Sequence, residues 1–357
     1  MILDSGEPGT SMRRFVLLLP VILLLLATLF ILNLMLGSVS IPPDAIFTIL
    51  TGGMVKETWM NIVWDWRMPA AITAVIAGGA LALSGLLMQT FFRNPLADSQ
   101  LLGISSGASL GVALVMLAPT FFGVGSVLAG LGFIGSFSIS VASIIGAYSV
   151  LILILMLSAK IRSNITILIL GIMVSYITGA FVTILLQFSS ESSMHTYSFW
   201  TFGSFSGVTW SQIPFLIVPL VAGFILSFGL VKPLNALLLG EEYAESMGMN
   251  YKRIRTLIIL TTALLAGIVT AFCGPIGFLG LAVPHFCRSL FVTADHRILV
   301  PGCILVGGII ALCTVLLSHP PGTDIILPLN AITSLIGAPV VIWVIIRGTK
   351  FGRGVTT

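Results

Sequence analysis

The chain carries at residues 15–36 the apolar run FVLLLPVILLLLATLFILNLML, which contains no charged residue. A helix that crosses a membrane needs about 20 such residues, because it rises about 1.5 Å per residue through a hydrocarbon core about 30 Å thick. A secretory signal has a shorter apolar region of about 7–15 residues and then an A-x-A cleavage site, and no such site follows here. The run therefore predicts an uncleaved membrane-spanning helix.

Similar apolar runs recur along the whole chain, and the composition agrees with them. Of 357 residues, 57% are hydrophobic and 8% are charged, whereas soluble domains carry roughly 25% charged residues. So few charges cannot cover a soluble surface, which excludes a soluble enzyme, a nucleic-acid-binding protein and a disordered chain. A transmembrane β-barrel would show alternating segments of about ten residues instead of long runs. The sequence therefore predicts an all-α polytopic membrane protein in a lipid bilayer.

The apolar runs predict about ten transmembrane helices joined by short loops. We place them at residues 14–36, 68–91, 101–118, 139–158, 165–188, 212–231, 256–273, 277–291, 299–317 and 331–347. They form a single transmembrane domain over residues 14–347, with polar tails at 1–13 and 348–357. The glycine-rich stretch at residues 125–135 is predicted to be a loop.

Basic residues test this topology, because cytoplasmic loops carry more Lys and Arg than external ones. With the N-terminus inside, fourteen of the 16 basic residues fall on the cytoplasmic side, and only Lys56 and Arg67 lie outside. Adding or removing one early span would scatter them over both sides. We therefore expect an even number of spans with both termini in the cytoplasm, and external segments at residues 37–66, 189–212 and 319–330.

The chain lacks the residues by which a transporter would drive itself. No G-x-x-x-x-G-K-[ST] loop is present, so the chain cannot hydrolyse ATP by P-loop chemistry and is predicted not to be an enzyme. Ion-coupled transporters usually keep Asp, Glu or His inside their spans, whereas the candidates here are Gln89, Gln187 and His285. An ion-coupled secondary transporter without an ATPase partner is therefore the weaker alternative.

Small residues recur at helical spacing in two of the predicted spans, in the patterns Ala74-xxx-Gly78-xxx-Ala82 and Gly103-xxx-Gly107-xxx-Gly111. Such faces let helix backbones approach closely in lipid, so we expect them to pack inside the bundle, with a contact between subunits as the alternative. The four cysteines form no C-x-x-C pair and are predicted to be packing residues. No metal site is therefore predicted.

The segment at residues 232–255 is the longest predicted cytoplasmic loop between spans and the richest in charge. Gly240 and Gly248 are typical helix stops, which predicts short helices here. Apolar positions can line one side of these helices, with acidic residues among the polar positions; the apolar set is Leu237, Leu238, Tyr243, Ala244 and Met247, and the acidic set is Glu241, Glu242 and Glu245. Such a mixed surface suits docking to a partner protein, and a solvated loop is the alternative.

Several motifs follow one another in order between about residues 37 and 347. They include Arg67-x-Pro69, Gly79-Ala80-x-Ala82-x-Ser84-Gly85-xxx-Gln89, Arg93-Asn94-Pro95-Leu96-Ala97, Leu239-Gly240-Glu241-Glu242-xx-Glu245-x-Met247-Gly248, Val283-Pro284-His285-xx-Arg288 and Asp295-His296-Arg297. This set resembles the FecCD-type permeases, the membrane subunits of ATP-driven importers for iron-siderophores, haem and cobalamin. The resemblance implies a type II ABC importer permease fold with ten spans in two inverted, related halves.

The resemblance also assigns residues to coupling and to gating. It implies that the ATPase-coupling residues are Leu239, Gly240, Glu241, Glu242, Ala244, Glu245, Met247 and Gly248. It implies that two loops narrow the cytoplasmic end of the pathway, at Asn94 and Leu96 and at Asn164 and Ile165. The family often has small hydroxyl residues at the second pair of positions, whereas this chain has the larger, apolar Ile165. For Asn94, a turn or helix cap before Pro95 is the alternative.

Arg67 is the residue through which the resemblance implies docking of an external binding protein. The family commonly has R-x-P-R at this place, whereas this chain reads Arg67-Met68-Pro69-Ala70. An ion pair with Asp65, an interfacial anchor and a contact to a lipid phosphate are the alternatives. An exposed ion pair contributes only about 0–1 kcal/mol, so docking would also need complementary shape. His285 is expected to be a hydrogen-bonded structural histidine.

The resemblance further implies the partners and the location of the chain. It pairs with a second copy as a homodimer, or with a paralogous permease, and binds two cytoplasmic ATPase subunits that hold ATP and Mg²⁺. An external binding protein delivers the substrate, an iron-siderophore by default with haem and cobalamin as alternatives. The resemblance implies that the chain itself holds no cofactor and that it lies in the bacterial cytoplasmic (inner) membrane.

Overall fold

The computed structural model describes residues 8–117, 132–158, 161, 163–323 and 325–352. Helices dominate this part of the chain, and it contains no β-strand. In chain order the α-helices are α1 Pro8–Met35, α2 Pro43–Leu50, α3 Glu57–Asn61, α4 Met68–Phe91, α5 Ile104–Met116, α6 Gly132–Ser158, α7 Asn164–Gln187, α8 Glu191–Thr201, α9 Ile213–Gly229, α10 Val231–Leu238, α11 Glu241–Ser246, α12 Tyr251–Cys273, α13 Leu279–Phe291, α14 His296–Ser318 and α15 Leu329–Gly352. A π-helical turn at Ile62–Arg67 joins α3 to α4, and a 3₁₀ turn at Ser99–Leu102 precedes α5.

Ten of these helices occupy the predicted spans. Six are long and apolar enough to cross a membrane on their own, and α9 with α10 forms a seventh that bends by 51° at its break. The remaining three are α5 and α13, each of 13 residues, and α15. The prediction of an all-α protein with about ten spans is confirmed.

Several predicted boundaries differ by a few residues from those of the structure, and local backbone geometry explains the differences. The third span begins at Ile104 rather than residue 101 because Gly103 adopts a φ of +76°, which ends the 3₁₀ turn. Residues 132–135 lie in α6 and not in the predicted loop, whose remainder falls outside the described residues. The seventh span begins at Tyr251, five residues early, because the Asn250 side chain accepts the Arg253 amide proton at 3.1 Å.

The predicted external segment at residues 189–212 also contains a helix, α8. Ser190 caps it by accepting the Ser193 amide proton at 3.3 Å, and hydroxyl residues are favoured at this position. Met194 and His195, which belong to this external segment, therefore lie on a helix. Low apolarity hid this helix, because its sequence has no long hydrophobic run.

The centre of the bundle is α4, which packs against α12, α13 and α14. Its small residues allow this: a Cβ on Gly78 would lie 2.4 Å from the Gly307 carbonyl oxygen, and one on Gly85 only 1.8 Å from that of Gly280. A second seam joins α5 to α6, where a Cβ on Gly107 would lie 2.6 Å from the Gly146 carbonyl oxygen. Both predicted small-residue faces therefore pack inside the bundle.

Candidate functional site: the coupling segment and the two predicted gate loops

The coupling segment, residues 232–255, folds as a compact helical extension of the bundle. At its start α9 turns by 51° into α10, and α11 and the first turn of α12 follow. Gly240 and Gly248 separate these helices with φ values of +117° and +85°, which are open to glycine and rare for other residues. The predicted short helices and glycine stops are therefore present.

The sequence suggested that the apolar side chains of this segment line one side of its helices. In the structure they do not all face the same way. Leu237 and Ala244 are buried against the bundle, whereas Leu238 and Tyr243 are exposed. Leu239 and Met247 are also exposed, with 64% and 65% of their surface accessible. The carboxylates of Glu242 and Glu245 lie on α11 and are also exposed. The free surface is thus a mixture of apolar and acidic groups.

Asn164, a predicted gate residue, is bonded to the coupling segment. Its Nδ2 donates a hydrogen bond to the Glu241 carboxylate. The phenolic oxygen of Tyr251 lies 2.8 Å from the same Nδ2 and 3.0 Å from Oδ1. Nδ2 also lies 3.5 Å from the Phe91 carbonyl oxygen, beyond the usual range of about 2.7–3.2 Å. The structure therefore brings Asn164 and Glu241 together, while the neighbouring Ile165 side chain is 70% exposed.

Arg255, which the sequence did not single out, holds the chain just before Asn164. Its guanidinium is buried and donates to the Ile161 carbonyl at 2.9 Å and to the Ser158 carbonyl, the last residue of α6. Carbonyls at a helix C-terminus lack partners within the helix, and a cation there is favourable. Both Tyr251 and Arg255 thus connect the start of α12 to the region that leads into α7.

The other predicted gate loop, residues 93–97, is a tight turn after α4. The Asn94 carboxamide oxygen accepts the Leu96 amide proton at 2.9 Å, so the alternative of a turn residue before Pro95 is present in the structure. The turn is held from outside by His285, whose Nε2 lies 2.7 Å from the Pro95 carbonyl oxygen. His285 is therefore a structural histidine as expected, and Leu96 remains 40% exposed.

A further bond anchors α4 beside this loop. Arg288 on α13 donates from Nη1 to Oε1 of Gln89 at 2.5 Å, and Gln89 Nε2 donates to the Leu281 carbonyl at 3.1 Å. Gln89 is thus bonded to α13 at both ends of its amide and is buried. Its side chain supports packing between α4 and α13 rather than presenting a free group to a pathway.

Arg67 caps the first helix. Its Nη1 donates to the Leu34 and Met35 carbonyls at 2.8 and 3.0 Å, and Nη2 donates to the Val39 carbonyl. Within the described ranges it makes no ion pair with Asp65, so that alternative is not seen. Docking of a binding protein stays a prediction for Arg67. Its guanidinium group already donates hydrogen bonds to main-chain carbonyl oxygens.

Comparison with known proteins identifies the chain. The model of the FecCD transport family matches residues 23–347. The chain belongs to this family. As a FecCD protein it is a multi-pass membrane permease subunit of an ABC importer, and the ATPase of such an importer is a separate subunit.

Individual relatives agree with the family assignment. This FecCD chain is 33% identical over 288 residues to the vitamin B12 import system permease protein BtuC of Salmonella typhi, covering 81% of this chain and 84% of that protein. BtuC of Salmonella newport matches at the same identity and coverage. Among solved structures, an inward-facing conformation of a metal-chelate type ABC transporter aligns with a TM-score of 0.79 and 28% identity, over 92% of this chain and 99% of that one.

These findings confirm the resemblance seen in the sequence motifs and the type II permease fold. They support an ABC importer permease and not the ion-coupled secondary transporter. In the described parts of the FecCD chain, no three His, Cys, Asp or Glu side chains come together as a metal site.

Proposed function

We propose that this permease imports a metal chelate, with cobalamin as the first substrate to test. The BtuC relatives favour cobalamin, and the structural neighbour is a metal-chelate type transporter. Iron-siderophores and haem are the other members of this substrate class. An external binding protein delivers the chelate, and ATP and Mg²⁺ are bound by two ATPase subunits, because this chain carries no P-loop.

The contact between Glu241 and Asn164 carries the mechanism. Glu241 lies at the start of α11, whose outer surface offers exposed Tyr243 and Met247 to a partner. A partner that moves α11 would also move the side chain bonded to Asn164. Movement of the ATPases is thereby transmitted to the cytoplasmic gate without a covalent step in this chain.

Docking of the ATPase is tested by changing the exposed side chains of the segment. We expect Leu239→Ser, Tyr243→Ser and Met247→Ser together to abolish co-purification of the ATPase, because interface cores are formed by buried apolar and aromatic anchors. Val292→Ser is the control, since Val292 is exposed on the same predicted side of the membrane. Retained ATPase binding and transport in the triple variant would refute the docking assignment.

The substrate is tested with the complete transporter in liposomes, with the ATPase and the cognate binding protein. We expect uptake of radiolabelled cobalamin that requires ATP and is not driven by an ion gradient. Uptake of an iron(III)-siderophore or haem instead would retain the importer and replace the substrate. Uptake driven by an ion gradient without the ATPase would contradict the importer itself.

A second copy of the chain is proposed to cover the outer face of α7. Apolar side chains repeat there every four residues and are exposed, at Ile169, Met173 and Ile177. The face lies on the helix that begins at the predicted gate residue Asn164, so in this proposal the pathway runs between two copies. Cysteines at positions 169, 173 and 177 are expected to give an intersubunit disulfide at one or more sites, whereas Val218→Cys on exposed α9 is not. Equal cross-linking at position 218 would contradict this interface.

The orientation is proposed to place both termini in the cytoplasm of a bacterial inner membrane. Fourteen of 16 basic residues then lie inside. An impermeant thiol reagent applied to intact cells is expected to modify a cysteine at Lys56 and to leave one at Gly248 unmodified. The reverse pattern would invert the topology.

A further inference from the structure

A second polar connection leaves the coupling segment through α10. Asn235 on α10 donates from Nδ2 to the Asp295 carboxylate at 2.6 Å, and its Oδ1 accepts the His296 amide proton at 2.9 Å. Asp295 also caps α14 by accepting the Arg297 amide proton at 2.9 Å. The side chain of Asn235 is therefore bonded directly to the first turn of α14.

The imidazole of His296 extends this connection to α4. Its Nδ1 lies 2.7 Å from Asn235 Oδ1, and its Nε2 lies 2.8 Å from Thr90 Oγ1. Because Oδ1 only accepts, Nδ1 carries a ring proton. The Thr90 hydroxyl lies within hydrogen-bonding distance of both His296 Nε2 and the Leu86 carbonyl oxygen, the latter at 2.9 Å. Only 1% of the His296 surface and 4% of the Thr90 surface are exposed. These hydrogen bonds are thus shielded from water. In such a buried environment, a polar group that loses its partner costs free energy.

Thr90 lies at the end of α4, directly before the gate loop at residues 93–97. The Thr90 carbonyl accepts the Arg93 amide proton at 3.2 Å, and the Gln89 carbonyl accepts the Asn94 amide proton at 3.1 Å. The helix end and the loop are therefore one hydrogen-bonded unit. Displacement of α10 would reach this loop through His296, just as displacement of α11 would reach Asn164 through Glu241.

The backbone separates the two routes. Gly240 lies between α10 and α11 with a φ of +117°. Helix α10 packs on α4 and α14, whereas α11 packs on α10 and α12. Besides contacting each other, the two short helices thus pack on different helices of the bundle, α10 on α4 and α14 and α11 on α12.

We propose that the coupling segment divides its work. Helix α10 controls the loop at residues 93–97 through Asn235, His296 and Thr90. Helix α11 controls Asn164 through Glu241, and Tyr251 at the start of α12 holds the same Asn164 side chain. This inference rests on the proposed function, in which ATPase movement reaches both gate loops. Asn235, His296 and Thr90 are positioning residues, since they act through the loop and need not touch the substrate.

The test measures each loop separately in the reconstituted complex. Cysteines at Leu96 and Ile165 report on the two loops, through the rate at which a maleimide modifies them with and without ATP and vanadate. Cys273, Cys287 and Cys303 are buried, and Cys313 is changed to serine to remove the partly exposed thiol. Each reporter is combined with Thr90→Val, which deletes the hydroxyl at constant shape, or with Tyr251→Phe, which deletes the phenol.

We expect Thr90→Val to reduce the nucleotide-dependent rate change at position 96 by about two-fold or more and to leave position 165 unchanged. Tyr251→Phe is expected to reduce the nucleotide-dependent rate change at position 165 and to leave position 96 unchanged. Thr90→Ser, which keeps a hydroxyl, should restore the rate change at position 96. Thr261→Val is the matched control, because the buried Thr261 hydroxyl bonds only within α12. Asn235→Ala interrupts the same route at its other end and replaces Thr90→Val if that variant does not assemble.

The division of work would be refuted if either variant reduced the nucleotide-dependent rate change equally at both positions. It would also be refuted if neither variant changed it at any position. The proposed function fails differently: the unchanged transporter would then show neither ATP-driven uptake nor a nucleotide-dependent rate at position 96 or 165. A working transporter whose two variants lack selectivity overturns only the inference.

Discussion

The phenolic oxygen of Tyr251 lies 2.8 Å from Nδ2 of Asn164, although 87 residues separate the two along the chain. Removing this oxygen by Tyr251→Phe deletes the bonds to Asn164 and keeps the buried ring. We expect ATP-driven uptake to fall by a few-fold to about tenfold, in line with the loss of one or two hydrogen bonds, while the ATPase still binds. Uptake assays and co-purification measure the two effects.

Tyr148→Phe serves as the control for this prediction, because Tyr148 lies in α6 and packs against the main core. Unchanged uptake in Tyr251→Phe, or an equal loss in both variants, would show that the bond to Asn164 has no part in coupling.

Arg67→Lys distinguishes a helix cap from a docking residue. Lysine keeps the charge but lacks the planar fork that reaches three carbonyl oxygens. We expect the variant to lose about 1–3 kcal/mol of stability and to keep its affinity for the external binding protein. Thermal unfolding and a binding titration measure these quantities.

Lys56→Arg is the matched external substitution, since the Lys56 ammonium lies 4.8 Å over the Trp59 ring and is predicted to share its side of the membrane. A stable Arg67→Lys protein with weakened binding of the external protein would identify Arg67 as a docking residue instead.

Gly85→Ala tests the close approach of α4 and α13. The added Cβ would lie 1.8 Å from the Gly280 carbonyl oxygen, so the two helices must separate. We expect a loss of about 1–3 kcal/mol or more, as for other overpacked cores. Gly229→Ala is the control, because nothing lies within 4 Å of a Cβ there. Melting temperatures of the purified variants compare the two, and equal values would contradict the packing of α4.

Val292→Asn relieves strain at the end of α13. Val292 has a φ of +50°, in the left-handed region that β-branched residues rarely adopt and asparagine tolerates. The side chain is 52% exposed, so little packing is lost. We expect a gain of about 1 kcal/mol in the free energy of unfolding, measured by thermal denaturation. Val292→Ala keeps the unfavourable backbone and should gain less; an equal gain would argue against strain.

The membrane architecture was predictable because it follows from local patterns. Apolar runs identify the spans, and glycine spacing identifies the seams at Gly78 and Gly107. The glycines at 240 and 248 predicted the short coupling helices. Each of these signals is contained in one stretch of sequence, and the motif set carried the family.

The contacts of the site were not predictable in the same way. Asn164 and Glu241 were both named as functional, yet their bond depends on how α7 and α11 pack. Arg255 and His296 were not assigned contacts, because their partners lie 61 to 206 residues away in sequence. Ser190, by contrast, was a readable cap signal for α8. A buried hydrogen bond between distant segments leaves no periodicity in either one.

The two polar connections also define which parts of the chain must be inherited together. A coupling segment taken from a relative brings its own residue at position 235 and its own residue at position 241. Those residues meet Asp295 and His296 in one direction and Asn164 in the other. A chimaera that exchanges residues 231–251 alone would bring side chains that do not match their hydrogen-bonding partners at Asp295, His296 and Asn164. The functional unit of recombination in this permease is therefore discontinuous, and an exchange should carry positions 90, 164, 295 and 296 with it.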